Sequence, residues 1–291
     1  MTGLARAITW RAFPAQAALR WRRHGAAAIR FGILSVVAVF TLFPFFWIFI
    51  ASIKPPAELM SPALLGFEPT TTNWAEVWLG SPFARYFLNS LAVGVITVGV
   101  SLAVGAPAAY AFSRFRTGGT GLRFLILAAQ MMPPALFIIP FFLMAYYTGL
   151  LDTIWAVAIA HLTFIAPLVT WFLIGFFEDV PRDLEEQAMV DGCTRWQAFL
   201  RVVLPAARPG LAAAGLFTFI MSWNETFYAL ILAGGHAKTL PVAIAGYWTF
   251  RGVDMGKMSV AITSAVIPVL IASLFVQRYL VRGLGGGTLK G

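Results

Sequence analysis

Six long apolar stretches, at approximately residues 31–53, 85–112, 122–147, 153–177, 210–233 and 258–280, constrain this chain more than any other feature. A helix needs roughly 20 mainly apolar residues to cross a bilayer core of about 30 Å, and each stretch supplies them. Membrane strands would instead read as segments of about 10 alternating residues. Composition agrees with helices in lipid. Of 291 residues, 59% are hydrophobic and 11% charged, whereas soluble domains carry roughly 45–50% apolar and about 25% charged residues. So few charges cannot coat a water-facing exterior, which excludes an aqueous fold. The sequence predicts an all-α integral membrane protein with six transmembrane helices.

The charges set its direction. With the N-terminus inside, the segments facing the cytoplasm collect sixteen Lys and Arg, among them Arg114, Arg116, Arg123, Arg182, Arg195, Arg201 and Arg208. Five remain outside: Lys54, Arg85, Lys238, Arg251 and Lys257. Lys and Arg concentrate on the cytoplasmic side of membrane proteins, so both termini are expected inside. The formal net charge of +9 is then mostly a topology signal with anionic lipid nearby, and nucleic acid is not an expected partner. Residues 1–30 are too long and basic for a signal peptide's first region, and the apolar run behind them is too long for its core. They read as a retained cytoplasmic arm.

Catalytic signatures are missing. The single cysteine, Cys193, excludes an intramolecular disulfide or a multi-cysteine metal site, and the three histidines lie far apart. Around Gly256–Lys257 a P-loop fails, because Arg251 stands where the first glycine is required and Met258 where Ser or Thr is required. No catalytic residue, metal site or resident cofactor is expected, so any energy source must be a partner.

The inside loop, 178–209, is the most informative segment. It holds half of the acidic residues: Glu178, Asp179, Asp183, Glu185, Glu186 and Asp191. Pro181 suits a helix start, and the acids after it offset the helix N-terminal dipole. Gly192 can adopt the left-handed conformation that ends a helix. Thr194 with Gln197 three residues on has capping-box spacing. Trp196, Phe199, Leu200 and Val203 then fall on one helical stripe. Such a helix–glycine–helix could fill a partner's groove, lie on the membrane, or fold under its own bundle.

Polar groups at membrane depth are the other candidates, since they are costly unless they face protein or water. Glu225, after Asn224, is either a pathway residue or a helix-to-helix hydrogen bond. Gln130 either lines the pathway or serves carbonyls freed at Pro133–Pro134. His161 reads as a proton relay or as a satisfied helix contact. Trp223, Tyr228, Tyr247 and Trp248 could stack on a ring-shaped solute or sit at the interface.

The run EQAMVDGCTRWQAFLRVVLPAARPG resembles the "EAA" loop of bacterial ABC-importer permeases, with Glu186, Ala188, Gly192, Leu204 and Pro205 in matching places and Gln187 and Val202 departing from the pattern. NWAEVW, RYFLNSLAVG, AAYAFSRFR, QMMPP, SWNETF and the tail QRYLVRGLGGGTLKG extend the likeness over most of the chain. It is closest to the smaller permease subunit of maltose-type carbohydrate importers. The resemblance implies the ABC importer permease fold in the bacterial cytoplasmic membrane, and half of a sugar pathway completed by a second homologous permease. It also implies two ATPase subunits that carry ATP and magnesium, and an extracytoplasmic sugar-binding protein. Glu186, Gln187, Ala188, Asp191, Gly192, Trp196 and Phe199 would contact the ATPase. Residues 54–84 are expected to form an extracytoplasmic loop, 85–282 the core permease domain, and 283–291 a cytoplasmic tail that the resemblance directs toward the ATPase interface. The loop 234–257 resembles the segment that touches the binding protein. The alternative classes are a proton-coupled secondary transporter using Glu225 and His161, and a non-transporting scaffold.

Overall fold

The computed structural model describes residues 13–61, 66–115, 118–250 and 252–285, without the side chains of 13–26, 127, 129–130 and 278–285. The first twelve residues of the basic arm, Arg116, Arg251 and the end of the tail therefore lie outside the described residues.

Helix α1 (Phe13–Ile53) begins inside the predicted arm, and its portion Ala27–Ile53 is long and apolar enough to cross a membrane. After a 3-10 turn at Pro56–Glu58 come α2 (Thr72–Trp78) and α3 (Phe83–Phe115). The third apolar stretch departs from expectation. In place of one spanning helix there are α4 (Gly119–Gln130), a turn, a 3-10 segment at Pro134–Phe137 and α5 (Ile138–Tyr147). Pro133 sits at φ −58°, ψ 129°, the extended geometry that a following proline imposes. The proline pair therefore breaks the helix rather than kinking it.

Helix α6 (Ile154–Glu178) is continuous despite Pro167, and α7 (Arg182–Val190) follows. Then come α8 (Arg195–Ala198), a π turn at Phe199–Val203, α9 (Leu204–Ala206) and α10 (Arg208–Asn224), with a bend of 75° between the segment ending at Ala206 and α10. The fifth predicted span is also interrupted: α10 stops at Asn224, and a separate helix α11 (Phe227–Leu232) resumes after Glu225 and Thr226. Helix α12 (Leu240–Ala245), a two-stranded hairpin of β1 (Trp248–Thr249) and β2 (Gly252–Val253), and the long α13 (Met255–Gly285) complete the order. Four described helices, in α1, α3, α6 and α13, are individually long and apolar enough to span a bilayer.

The centre is the α3–α6 pair. Its close approach depends on Gly105, where a Cβ would lie 3.1 Å from Thr170 Oγ1 and 3.3 Å from Val169 Cγ1. Small residues permit such contacts between membrane helices. At one end of this pair, Ala109, Tyr110, Phe177, Val180, Phe199 and Val203 form a buried cluster that joins the connection before α7 and the π turn after α8 to the bundle. At the other end Val93, Val157, Tyr228, Leu232 and Ala237 form a second. A third gathers Val77, Phe83, Trp223 and Val260 around α2, α3 and α13. By contrast, residues such as Phe31, Val36, Phe40 and Leu42 on α1 are exposed, as suits a helix in lipid or against another subunit.

Candidate functional site

The 182–203 segment gets its shape from local chemistry. Helix α7 ends at a glycine with φ +92°, and the N–H groups of Cys193 and Gly192 donate to the carbonyls of Ala188 and Met189 at 3.0 and 3.1 Å. These two bonds define a Schellman termination. Next, Gln197 N–H donates to Thr194 Oγ1 at 3.3 Å, and Thr194 N–H donates to Gln197 Oε1 at 2.9 Å. Both halves of the capping box are present, so the corner is satisfied by its own residues.

Two faces result. Glu186, Gln187, Asp191, Gly192 and Trp196 are exposed, along with Val190 at 87% and Leu200. Ala188 and Phe199 are buried. The apolar stripe expected from Trp196 to Val203 is therefore divided, which corrects the placement of Phe199 on a docking face. The Phe199 ring centre is held 4.6 Å from that of Tyr110 and 6.1 Å from that of Phe177, whereas Trp196 lies outside, tilted against Phe199 with ring centres 5.2 Å apart. The π turn widens the helix at these residues, and burial of one large ring in the bundle decides which side turns inward.

Sequence reasoning missed the residues beneath this surface. Glu185, in the first turn of α7, is buried and accepts a hydrogen bond from Arg114 Nε at 2.9 Å and another from the Tyr110 hydroxyl. Tyr110 and Arg114 are four residues apart on one face of α3, and Glu185 precedes Ala188 by three on the inner face of α7. That pairing of periodicities was the available signal.

At the interruption of the fifth apolar stretch, Glu225 stands between two helices. Its carboxylate accepts from the N–H groups of Phe227 at 2.7 Å, Tyr228 at 3.1 Å and Ala229 at 3.4 Å. It also lies 3.0 Å from His161 Nε2, while His161 Nδ1 lies 2.8 Å from Ser222 Oγ. The acid therefore caps α11 and joins it to α6. Both of its oxygens and both histidine nitrogens are engaged. Asn224 is exposed, and its Nδ2 donates to the Ile220 carbonyl at 2.8 Å. Gln130 ends α4, but its side chain lies outside the described residues. Trp223 and Tyr228 are buried, and Trp223 donates to the Ala265 carbonyl at 3.1 Å, so neither ring is open to a sugar. Trp248 is exposed on the hairpin.

Far from α7, Asp152 shapes the segment after α11. With φ at 58°, its carboxylate accepts from the N–H groups of Gly235 at 3.2 Å, His236 at 3.0 Å and Ala237 at 2.9 Å. On the other side, Arg85 donates to the Gly235 carbonyl and Asn89 to those of His236 and Lys238. Partial burial works to raise the Asp152 pKa, but the surrounding amides outweigh it and hold the carboxyl below its ordinary value. The loop is thus gripped by both sets of backbone groups.

A motif surface at one end of a helical membrane bundle, with polar groups at a helix break, has close relatives. Residues 96–286 match the family of the binding-protein-dependent transport system inner membrane component. The chain is 35% identical over 263 residues to the trehalose transport system permease protein SugB of Mycobacterium tuberculosis, covering 88% of this chain and 95% of that one. It is 32% identical over 269 residues to the diacetylchitobiose uptake system permease protein NgcG of Streptomyces coelicolor, covering 91% and 89%. Its fold is similar to a bacterial ABC transporter involved in the import of the acidic polysaccharide alginate, with a TM-score of 0.69, 26% identity and coverage of 88% and 96%. The chain belongs to the family of binding-protein-dependent inner membrane components. Within it, this is a multi-pass ABC-importer permease, a component of membrane transport.

Proposed function

We propose that this chain forms half of the translocation pathway of an ATP-driven carbohydrate importer, together with a second homologous permease. Both termini face the cytoplasm, and six crossings are made by α1, α3, the broken α4–α5 pair, α6, the α10–α11 pair and α13. The sixteen-to-five distribution of basic residues supports that direction. In that direction α7–α8 faces the cytoplasm and the Asp152-held loop faces outside, where an extracytoplasmic sugar-binding protein would approach. Relatives named for trehalose and diacetylchitobiose transport support a sugar as cargo.

The observation that carries the reading is the pairing of a corner capped by its own residues with an exposed outer face that carries the motif residues. Glu186, Gln187, Asp191 and Gly192 lie exposed beside Val190 and Trp196, while the inner side of the same helices is fixed to the bundle. Apolar side chains such as Val190 gain most from a partner's groove, because exposed ion pairs contribute only about 0–1 kcal/mol. An ATPase pair with its own ATP and magnesium would seat there. Along the pathway, Asn224 is better placed than Glu225 to meet sugar hydroxyls, because its amide is exposed whereas the Glu225 oxygens already have partners.

Purification from the native membrane, with identification of what remains bound, tests this assignment. Recovery of a second permease and ATPase subunits is the expected result. A solitary chain that moves solute in vesicles without ATP would overturn it.

A further inference from the structure

Helix α7 is joined to α3 by more than apolar contact. Glu185 Oε2 accepts from Arg114 Nε at 2.9 Å, Glu185 Oε1 accepts from the Tyr110 hydroxyl, and Arg114 Nη2 donates to the Val180 carbonyl at 2.9 Å. The Arg114 and Glu185 side chains are only 5% and 6% exposed. Around this core, the Tyr110 ring packs on Phe199, and the Arg195 guanidinium lies 4.9 Å from the Phe115 ring centre. The Arg114–Glu185 pair thus gathers the last turns of α3, the connection before α7, and α7 itself.

A buried ion pair is weak evidence for stability, since apolar residues of similar volume often hold a core equally well. Its distinctive property is direction. Apolar surfaces can slide by small steps, but a guanidinium–carboxylate pair with a third donor is satisfied in one arrangement. Displacing α7 along α3 would leave buried charges without partners, which is costly. Farther along, Gly105 sets α3 tightly against α6, so a push on α7 has a rigid path into the pair at the centre of the bundle.

We infer that Glu185, held by Tyr110 and Arg114, is a positioning residue that locks α7 to α3, so that displacement of the outer α7–α8 face moves the membrane bundle as a unit. The inference rests on the reading of that face as the ATPase-docking surface. Glu186, the motif acid next to it, points outward for the partner, and Glu185 points inward for the bundle. Adjacent acids divide the task.

The test uses the whole importer, purified with its partner subunits, with Cys193→Ser removing this chain's single cysteine and any cysteines of the partner subunits likewise replaced. Thr148→Cys, exposed just after α5 at the end of the bundle away from α7, then reports that side through its rate of modification by a charged methanethiosulfonate. With native Glu185, trapping the ATPase with ADP and vanadate should change that rate several-fold. Glu185→Gln should abolish the change while the ATPase subunits remain associated, an outcome that simple loss of docking does not produce. Should Glu185→Gln fail to assemble, Tyr110→Phe decides, because it removes one hydrogen bond and retains the ring against Phe199; a reduced nucleotide-dependent change is expected. A full response in whichever variant assembles overturns the lock. Absence of ATPase subunits from the native preparation would instead overturn the docking reading on which it rests.

Discussion

The corner between α7 and α8 and the break between α10 and α11 both interrupt helix, yet they satisfy the interrupted backbone differently. At the corner, Gly192 supplies the left-handed turn, and Thr194 and Gln197 close the next helix from three residues apart. At the break, Glu225 provides acceptors for α11 but is itself braced by His161, sixty-four residues away in sequence. Water can serve an exposed helix end, so the corner needs only local caps. Within a bilayer no such solvent exists, and unsatisfied groups must be matched by protein. Tolerance to change differs accordingly: the corner should respond to backbone substitutions, and the break to loss of a distant partner.

The largest effect should come from Gly192→Pro. Proline fixes φ near −65° and has no N–H, whereas this site has φ +92° and donates to Met189 at 3.1 Å. A local cost of about 3 kcal/mol or more is expected. Membrane insertion should persist while ATPase association is lost, as measured by co-purification. Normal association would show that the corner's shape is irrelevant to docking.

Glu225→Gln ranks next. It retains the size but removes the charge beside His161 and weakens the cap on α11, at an expected cost of about 1–3 kcal/mol. Thermal unfolding in detergent should record the loss. If stability stays constant while transport-linked ATPase activity falls, the acid acts on the cargo rather than on the break.

Thr194→Ala removes one half of the capping box and should cost about 1 kcal/mol. Faster hydrogen exchange at the first turn of α8, with unchanged exchange in α10, is the expected pattern. Equal acceleration in both would mean that the corner is not locally determined.

The smallest effect is pH-dependent and lies in the Asp152 loop. Because the folded carboxyl is held below its unfolded value, its contribution is present above the ordinary aspartate pKa of about 3.9. It is lost as pH falls through the lowered folded value. The stability gap between the native protein and Asp152→Asn should therefore narrow on acidification. A constant gap across that window would show that the charge does not hold the 234–237 amides.

Much of this architecture is legible in the chain itself. The apolar stretches around α1, α3, α6 and α13 announce spanning helices, and Gly192, Thr194 and Gln197 announce the corner by types and spacings that act within a few residues. The Pro133–Pro134 pair was also visible, but its outcome as a full break depends on how the freed backbone is accommodated. Burial of Phe199 was less accessible, because an amphipathic stripe does not say which of two apolar surroundings it meets. The exposed face and its buried anchor share a few turns, and only the positions of Tyr110 and Phe177 separate them.

Sequence alone determined that the protein lies in a membrane and where α7 ends, since solvent transfer and local backbone geometry require no distant residue. Tertiary structure decided that Glu185 faces inward while Glu186 faces out, and that Glu225 serves His161 and the start of α11. Buried charges settle where complementary groups converge, and that convergence depends on how the helices pack rather than on their order along the chain.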